Sequence, residues 1–407
     1  MKVTYIHPRK YPSQETNALQ AIKMASAFSE LADTTFIIPS LSMMNGELKN
    51  KYSIPKSPLK IRSMLFNYVP DRFLLRLPSY FGRAVSFYLR HHPRWRYFKG
   101  QKILFVRDPK ALLFWGKIRK SFSEFNKWIF IFEGHSTIGL DPVRFHNIDE
   151  IDENNRESQY RKEILDALMS FDLVICLTKA LANDLMYLSN NRIKPTVIRH
   201  ASNLPRIPSF RKISFGTKIV IGYFGQISQF KGVQNILEAL TLLPARFNLR
   251  LVGKFHQEDG VDPYWLKTYL ENPLLISRVE VSDSIPIDEV ANEIDKCDVL
   301  IQPASSNVLN SKYEAPIKSS DYMARGKPII AADVPCHHEL FKEGENGLFF
   351  SDSQDLANKL THLVNNPNLA NEIALGAWNH SALSTFNFRA KEILNLVDSL
   401  NRRKKDF

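Results

Sequence analysis

Cysteine is scarce, with three in 407 residues, at Cys176, Cys297 and Cys336. An odd, scattered set beside apolar stretches suggests neither a disulfide framework nor a zinc site, and the expected setting is a reducing cytoplasm. Long apolar runs are missing too. None approaches the roughly eighteen residues that a membrane-spanning helix needs, so any membrane contact is expected to be peripheral. The amino terminus opens on a β-rich run, Met1-Lys-Val-Thr-Tyr-Ile-His7-Pro8, without the charged, apolar and cleavage regions of a signal peptide, so export is not expected. No glycine–x–glycine–x–x–glycine follows a candidate strand, and no glycine–lysine–serine or glycine–lysine–threonine loop occurs, which disfavours dinucleotide oxidoreductases and P-loop enzymes. His7, His200, His256, His337 and His338 have no ligand-like spacing, so no metal is expected.

Acidic residues are absent from Arg72 to Arg107, and much of the net charge of +12 is concentrated there. Arg83, Arg90, Arg94, Arg96, Lys99 and Lys102 alternate with Tyr80, Phe87, Tyr88, Trp95, Tyr97 and Phe98. Such a stretch suits an anionic membrane surface, where each cation contributes about 1 kcal/mol and aromatic rings settle among headgroups. The alternative is a solvated basic face beside core aromatics. No RNA- or DNA-binding module signature accompanies it, and no nucleic-acid partner is expected.

The remaining composition, 44% hydrophobic and 24% charged, is that of a globular chain. The length suits two domains of roughly 150–200 residues. Short apolar strands alternate with amphipathic helices from Val3 to Ile198. Asn203-Leu-Pro205-Arg-Ile-Pro208 then interrupts both patterns, and the alternation restarts at Lys218. The expected division is residues 1–203, residues 204–385, and a carboxy-terminal helix with a basic tail over 386–407. Both domains read as α/β, with parallel sheets covered by helices, and a ligand crevice is expected at the carboxyl ends of the strands.

Two motifs in the second half suggest chemistry. Gly222-Tyr-Phe-Gly225-Gln226 and Lys231-Gly232 fall where a strand gives way to a helix. There glycine permits positive φ, a helix N-terminus offers unpaired N–H donors, and Lys231 adds a charge suited to a diphosphate. By itself such a turn often serves packing alone. Pro316-Ile-Lys318-Ser-Ser-Asp321-Tyr322-Met-Ala-Arg-Gly326-Lys-Pro328 adds a carboxylate expected near a helix start, able to accept two ribose hydroxyls. The bland reading is a capping aspartate.

Together these pieces resemble family 4 of the retaining glycosyltransferases, which have the two-domain GT-B fold. Gly225-Gln226 with Lys231-Gly232, Leu249-Arg-Leu-Val252-Gly253, Asp298 to Pro303, Asp321 to Ala331, and Glu339 to Gly347 are similar to the family's series over most of residues 218–350. The likeness in the first half is thinner, resting on Arg107-Asp108, Glu133-Gly134-His135 and the segment Leu173 to His200. Two departures stand out. Gln226 occupies the place of an arginine, and Tyr313 that of the first acid, so either Glu314, one residue away, or the backbone amides from Ala315 to Lys318 are expected to serve the donor sugar.

The resemblance implies a metal-free, cofactor-free transfer of sugar from a UDP- or GDP-sugar to a hydroxyl acceptor, with the anomeric configuration retained. The acceptor is expected to be a glycan or lipid-linked intermediate of bacterial surface polysaccharide. It also implies donor-binding roles for Gly225, Gln226, Lys231, Gly253, Lys318 and Asp321, and catalytic roles for His135, Lys231 and Glu314. Alternatives are a nucleotide-sugar 2-epimerase of the same fold and, less favoured, a polyanion-binding protein.

Overall fold

The computed structural model describes residues 1–13, 15–63, 89, 95, 97–135, 156–257, 261–304 and 309–405. Most of the basic aromatic stretch 72–107 lies outside these residues. The chain divides into two compact units, residues 1–199 with 386–407, and residues 200–385.

The first unit is built on a sheet of seven described strands, β1 (Lys2–Ile6), β2 (Asp33–Ile38), β3 (Lys60–Ser63), β4 (Lys102–Val106), β5 (Trp128–Gly134), β6 (Leu173–Cys176) and β7 (Thr196–Val197), in the order β3-β2-β1-β4-β5-β6-β7. Its strand pairs are parallel. Parallel strands covered on both faces need near-continuous apolar runs, and Trp128-Ile-Phe-Ile-Phe-Glu-Gly134 is buried throughout. Helix starts follow local chemistry. Asp108 caps Pro109–Ser121 by accepting from the backbone N–H of Lys110 at 2.9 Å, and proline sits in the first turn, where no donor is needed. Thr178 caps Lys179–Leu188 by accepting from the N–H of Leu181.

The second unit has β8 (Ile219–Phe224), β9 (Phe247–Val252), β10 (Val279–Ser282), β11 (Val299–Gln302), β12 (Ile329–Ala332) and β13 (Leu348–Phe350), in the order β10-β9-β8-β11-β12-β13. The strand order reverses between β8 and β11, which makes their carboxyl ends the topological switch point, the usual ligand position in open α/β sheets. A core of Ile221, Leu237, Leu249, Val299, Ile330 and Leu360 lies beneath it.

The helix Phe386–Lys405 returns to the first unit. Its Ala390, Ile393, Leu394 and Val397 join Val3, Tyr5, Phe28, Phe36 and Phe105 in one core. The helix continues through the basic residues Arg402 to Lys405.

Candidate active site

Gly225 and Gly253 directly follow the neighbouring strands β8 and β9, Gly225 on the strand that borders the switch point. Gly225 has φ +153° and Gly253 φ +150°, a region that favours glycine. A Cβ on Gly253 would stand 1.9 Å from the Gly225 carbonyl oxygen, so the two loops meet backbone to backbone. Gly232 begins the next helix in the left-handed region at φ +73°, without a side-chain cap. Gly222, by contrast, is inside β8, where a Cβ would press on Cys297 and Leu300; it serves packing.

Charged side chains converge on this backbone turn. Lys318 brings its ammonium to the Tyr223 hydroxyl at 3.1 Å, and a Cβ on Gly225 would lie 2.8 Å from Lys318 Nζ. Lys231 Nζ donates to Glu314 Oε1 at 2.5 Å. The two pairs belong to one electrostatic cluster. Burial pulls the Lys318 ammonium down to about 8, with the Glu314 carboxylate acting in the opposite direction. Lys231 and Glu314 also act on the Tyr223 phenol, whose titration burial displaces upward. Glu314, one residue from the place where the family carries its first acid, is thus drawn to Lys231. Gln226 is exposed, and its carbonyl accepts from the Tyr223 hydroxyl at 2.7 Å.

The helix Ile317–Ala324 starts directly after Pro316, so Asp321 lies in its second turn rather than near its beginning. Proline has no N–H to leave unpaired and favours an extended residue before it, which moves the start toward the proline. Asp321 is 9% exposed, and its Oδ1 accepts from Ser202 Oγ at 2.7 Å and from the N–H groups of Asn203 and Leu204 at 2.7 and 3.2 Å. That carboxylate oxygen fastens residues 202–204 to the helix. Tyr322 is fully buried, and its hydroxyl accepts from the Phe224 N–H at 2.9 Å, tying the helix to the end of β8 just before Gly225. The sequence shows a tyrosine after the acid but not this role.

In the first unit, Arg107 follows β4 and His135 follows β5, again at carboxyl ends. Arg107 Nε lies 3.1 Å from Glu133 Oε1, and Arg107 Nη1 donates to the Tyr5 hydroxyl at 3.3 Å. His135 Nε2 lies 2.7 Å from Glu133 Oε1, and His135 Nδ1 lies 3.2 Å from Arg107 Nη2. Arg107 Nε also lies 2.6 Å from His135 Nε2, so Arg107 meets both ring nitrogens while Glu133 meets Nε2. Burial and the adjacent Arg107 pull the His135 imidazole down to about 4, which leaves it neutral near pH 7. Burial alone would raise the Glu133 carboxyl, but Arg389 and Arg107 outweigh it and hold the group well below the usual carboxylate range. Arg389, from the last helix, donates to Glu133 Oε2 at 2.6 Å and to the Arg199 carbonyl at 2.8 Å. The sequence reading missed Arg389; its signal was one arginine within an apolar helical stripe.

Among the described residues no group of three or more His, Cys, Asp or Glu is placed to hold a metal ion, and no helix is long and apolar enough to cross a membrane.

Residues 207–377 match the family model described as glycosyl transferases group 1. An uncharacterized glycosyltransferase of Methanocaldococcus jannaschii is 27% identical over 205 residues, covering 50% of this chain and 52% of the relative. The chain spans about half the length of the curated relatives it matches. Among solved structures, Anabaena HepE in complex with UDP has a TM-score of 0.68 at 17% identity, covering 98% of this chain and 100% of that one. Sucrose-phosphate synthase of Thermosynechococcus elongatus has a TM-score of 0.71 at 15% identity, covering 99% of each chain. Residues 207–377 thus match the group 1 glycosyl transferase domain, within a chain whose two parallel-sheet units have the GT-B fold.

Proposed function

We propose that the protein moves a sugar from a UDP- or GDP-sugar to a hydroxyl acceptor with retention of anomeric configuration, as in family 4. The observation that carries this reading is the convergence of Lys231, Glu314 and Lys318 on the glycine loop at the switch point of β8 and β11. Two lysines beside glycine backbone suit a diphosphate, whose oxygens accept from ammonium groups and from backbone N–H donors at a helix start. Solved GT-B neighbours bound to UDP and to UDP-glucose support a nucleotide-sugar donor.

In this reading the bond between the anomeric carbon and the diphosphate oxygen breaks as the acceptor oxygen bonds to the same face. The acceptor proton passes to the departing diphosphate. Charge grows on that leaving group, and Lys231 and Lys318 stabilise it; fixed charges of this kind contribute several kcal/mol to lowering a barrier. Because the two ammonium groups supply that charge, the reading includes no metal. Glu314 orients Lys231 and the donor sugar, Gly225, Gln226 and Gly253 shape the nucleotide loop, and Asp321 binds the ribose. His135, neutral and fixed by Glu133, orients the sugar or acceptor. The acceptor is a glycan or a lipid-linked intermediate of surface polysaccharide. The basic stretch 72–107 supports enzyme placement on the cytoplasmic face of a membrane.

The test is a thermal-shift screen of UDP, GDP and their sugars, followed by analysis of the anomeric configuration of product. A ligand at a hundred times its dissociation constant adds about 2.7 kcal/mol to the folded state. Lys231→Ala is expected to abolish that shift for the true donor. Stabilisation by no nucleotide would overturn the reading, and sugar isomerisation without acceptor would replace it with the epimerase.

A further inference from the structure

The ends of β8 and β11 part at the switch point, and the Tyr322 side chain stands between β8 and the place where its strand partner stops. On one side β8 pairs with β9 as far as Phe224 opposite Val252, and Gly225 goes on to donate to the Val252 carbonyl at 2.8 Å. Backbone groups alternate from one side of a strand to the other, so the N–H and C=O of Phe224 face β11. There the register runs through Ile221 opposite Val299 and ends with Gly222 opposite Leu300. The Tyr322 hydroxyl takes the next place: it accepts from the Phe224 N–H at 2.9 Å and lies 3.5 Å from the Phe224 carbonyl oxygen. A buried backbone donor left unmet costs more than an ordinary hydrogen bond contributes, so this contact holds the helix Ile317–Ala324 to the end of β8.

The same helix is tied to the other side of the gap. Ser319 Oγ donates to Gln302 Oε1, on the last residue of β11, at 3.3 Å. Lys318 is carried by this doubly anchored helix, four residues before Tyr322 and so one turn away on the same face. Its ammonium lies 4.5 Å from the Tyr223 ring centroid and donates to the Tyr223 hydroxyl at 3.1 Å, and that hydroxyl donates to the Gln226 carbonyl at 2.7 Å. A Cβ on Gly225 would stand 2.8 Å from Lys318 Nζ. Every residue from Tyr223 to Gln226 is thus met by this helix or by its hydrogen-bond chain.

The ring and the oxygen of Tyr322 do different things. The ring packs edge-on to Phe224, with centroids 6.3 Å apart and planes at 74°, in a core shared with Leu300, Met323 and Ile329. Phenylalanine would fill that core as well; it lacks the oxygen. Burial displaces the phenol far upward from its ordinary titration, so the hydroxyl stays neutral and keeps both its accepting and its donating capacity.

We propose that Tyr322 is a positioning residue of the donor site that acts through Lys318: its hydroxyl fixes the helix at the end of β8 and so places the Lys318 ammonium over the Gly225 loop for a nucleoside diphosphate. This rests on the donor reading above, while the placement of Lys318 is measurable without any nucleotide.

Calorimetry reads the affinity of the full chain for UDP and GDP, and NMR of isotope-labelled lysine, with the signal assigned from Lys318→Arg, reads the Lys318 titration in the ligand-free chain. Tyr322→Phe is expected to weaken nucleotide binding roughly tenfold in the wild-type background but by less than about threefold in Lys318→Ala, since the hydroxyl acts through that lysine. The same change is expected to move the Lys318 ammonium up from about 8 toward its ordinary 10.5, because a loosened helix admits water; Tyr223 and Glu314, which face it, are kept. Tyr269→Phe is the control: it removes a hydroxyl that donates to Glu238 at 2.7 Å between two other helices of the unit, and it is expected to alter neither readout. Should Tyr322→Phe not fold, amide exchange in the wild-type chain replaces it, with the Phe224 N–H expected to be protected and to slow further when UDP or GDP binds. Unchanged affinity or an unchanged Lys318 titration in Tyr322→Phe, an equal loss in the Lys318→Ala background, or a Phe224 amide that exchanges like an exposed one would overturn the proposal. A wild-type chain that binds neither nucleotide overturns the donor reading instead, and the Lys318 titration then still decides the role of Tyr322.

Discussion

Arg389 donates from Nη2 to Glu133 Oε2 at 2.6 Å across 256 positions of sequence, with side chains 3% and 0% exposed. The contact joins the final helix to the carboxyl end of β5, two residues before His135. Glu133 is shared with Arg107, so one carboxylate balances two guanidinium groups in the interior. Removing one member of a buried pair leaves a charge without its compensation and typically costs 3–5 kcal/mol.

Arg389→Ala is therefore expected to lower unfolding free energy by about 3 kcal/mol, the smaller end of that range because Arg107 still faces Glu133. Combining it with Glu133→Gln is expected to cost less than the sum of the two single changes, since each single change already removes the same ion pair. Denaturant titration of the four proteins checks this. Strict additivity would mean that the two side chains do not interact in solution.

Much of this architecture is legible in the sequence because periodicity reports burial. The run Trp128–Gly134 and the alternation from Ile219 onward are visible as strands since a two-sided parallel sheet demands apolar residues throughout. β3 escapes notice because only Ile61 of its four residues is buried, as at an edge. The helix Pro367–His380 escapes because its buried face is made largely of alanine, Ala370, Ala374 and Ala377, which gives a weak apolar signal. At the site, Gly225, Lys231 and Lys318 are marked by residue type and spacing. The partners of Asp321, Tyr322 and Glu133 come from distant segments, and no local pattern records those contacts.

Gly253→Ala is expected to cost several kcal/mol, because a Cβ 1.9 Å from a backbone oxygen cannot be relieved by a side-chain rotation and φ +150° is unfavourable for alanine. The β8 and β9 loops must separate, so nucleotide affinity is expected to fall at least tenfold. Gly344→Ala is the control. Its φ is +72° but nothing lies within 4 Å of the added carbon, so only the backbone term of about 1–2 kcal/mol applies. Melting midpoints with and without nucleotide distinguish the two; equal losses would contradict the close approach of Gly225 and Gly253.

Acid is expected to destabilise the fold in two stages. His135 at about 4 and His7 at about 3 lie below the ordinary histidine value of 6.5, so the unfolded chain binds more protons than the folded one as pH falls through that interval. Their contribution is complete above about pH 6.5 and declines toward pH 4. Glu133, held below its ordinary 4.5, adds a loss of the same sign only below that value. His135→Gln is expected to flatten the slope between pH 6.5 and 4.5 by about 1–3 kcal/mol in total, while leaving the steeper fall below pH 4.5. Denaturant midpoints across that range measure it, and an unchanged slope would place His135 in water rather than against Arg107.

Lys318 gives the donor site its own pH dependence. With its ammonium near 8 before ligand arrives, binding a diphosphate raises that value, because the anion favours the charged form. Affinity is then greatest below about pH 8 and declines as pH rises from there toward the bound-state value. Lys318→Arg keeps a permanent charge at the same place, so its nucleotide affinity is expected to stay flat from pH 7 to pH 9.5. Lys318→Ala is expected to be flat as well but at least tenfold weaker throughout. Calorimetric titration of UDP and GDP at matched ionic strength reads all three profiles. A wild-type profile as flat as that of Lys318→Arg would show that the Lys318 ammonium does not meet the diphosphate, and Lys231 would then carry the anion alone.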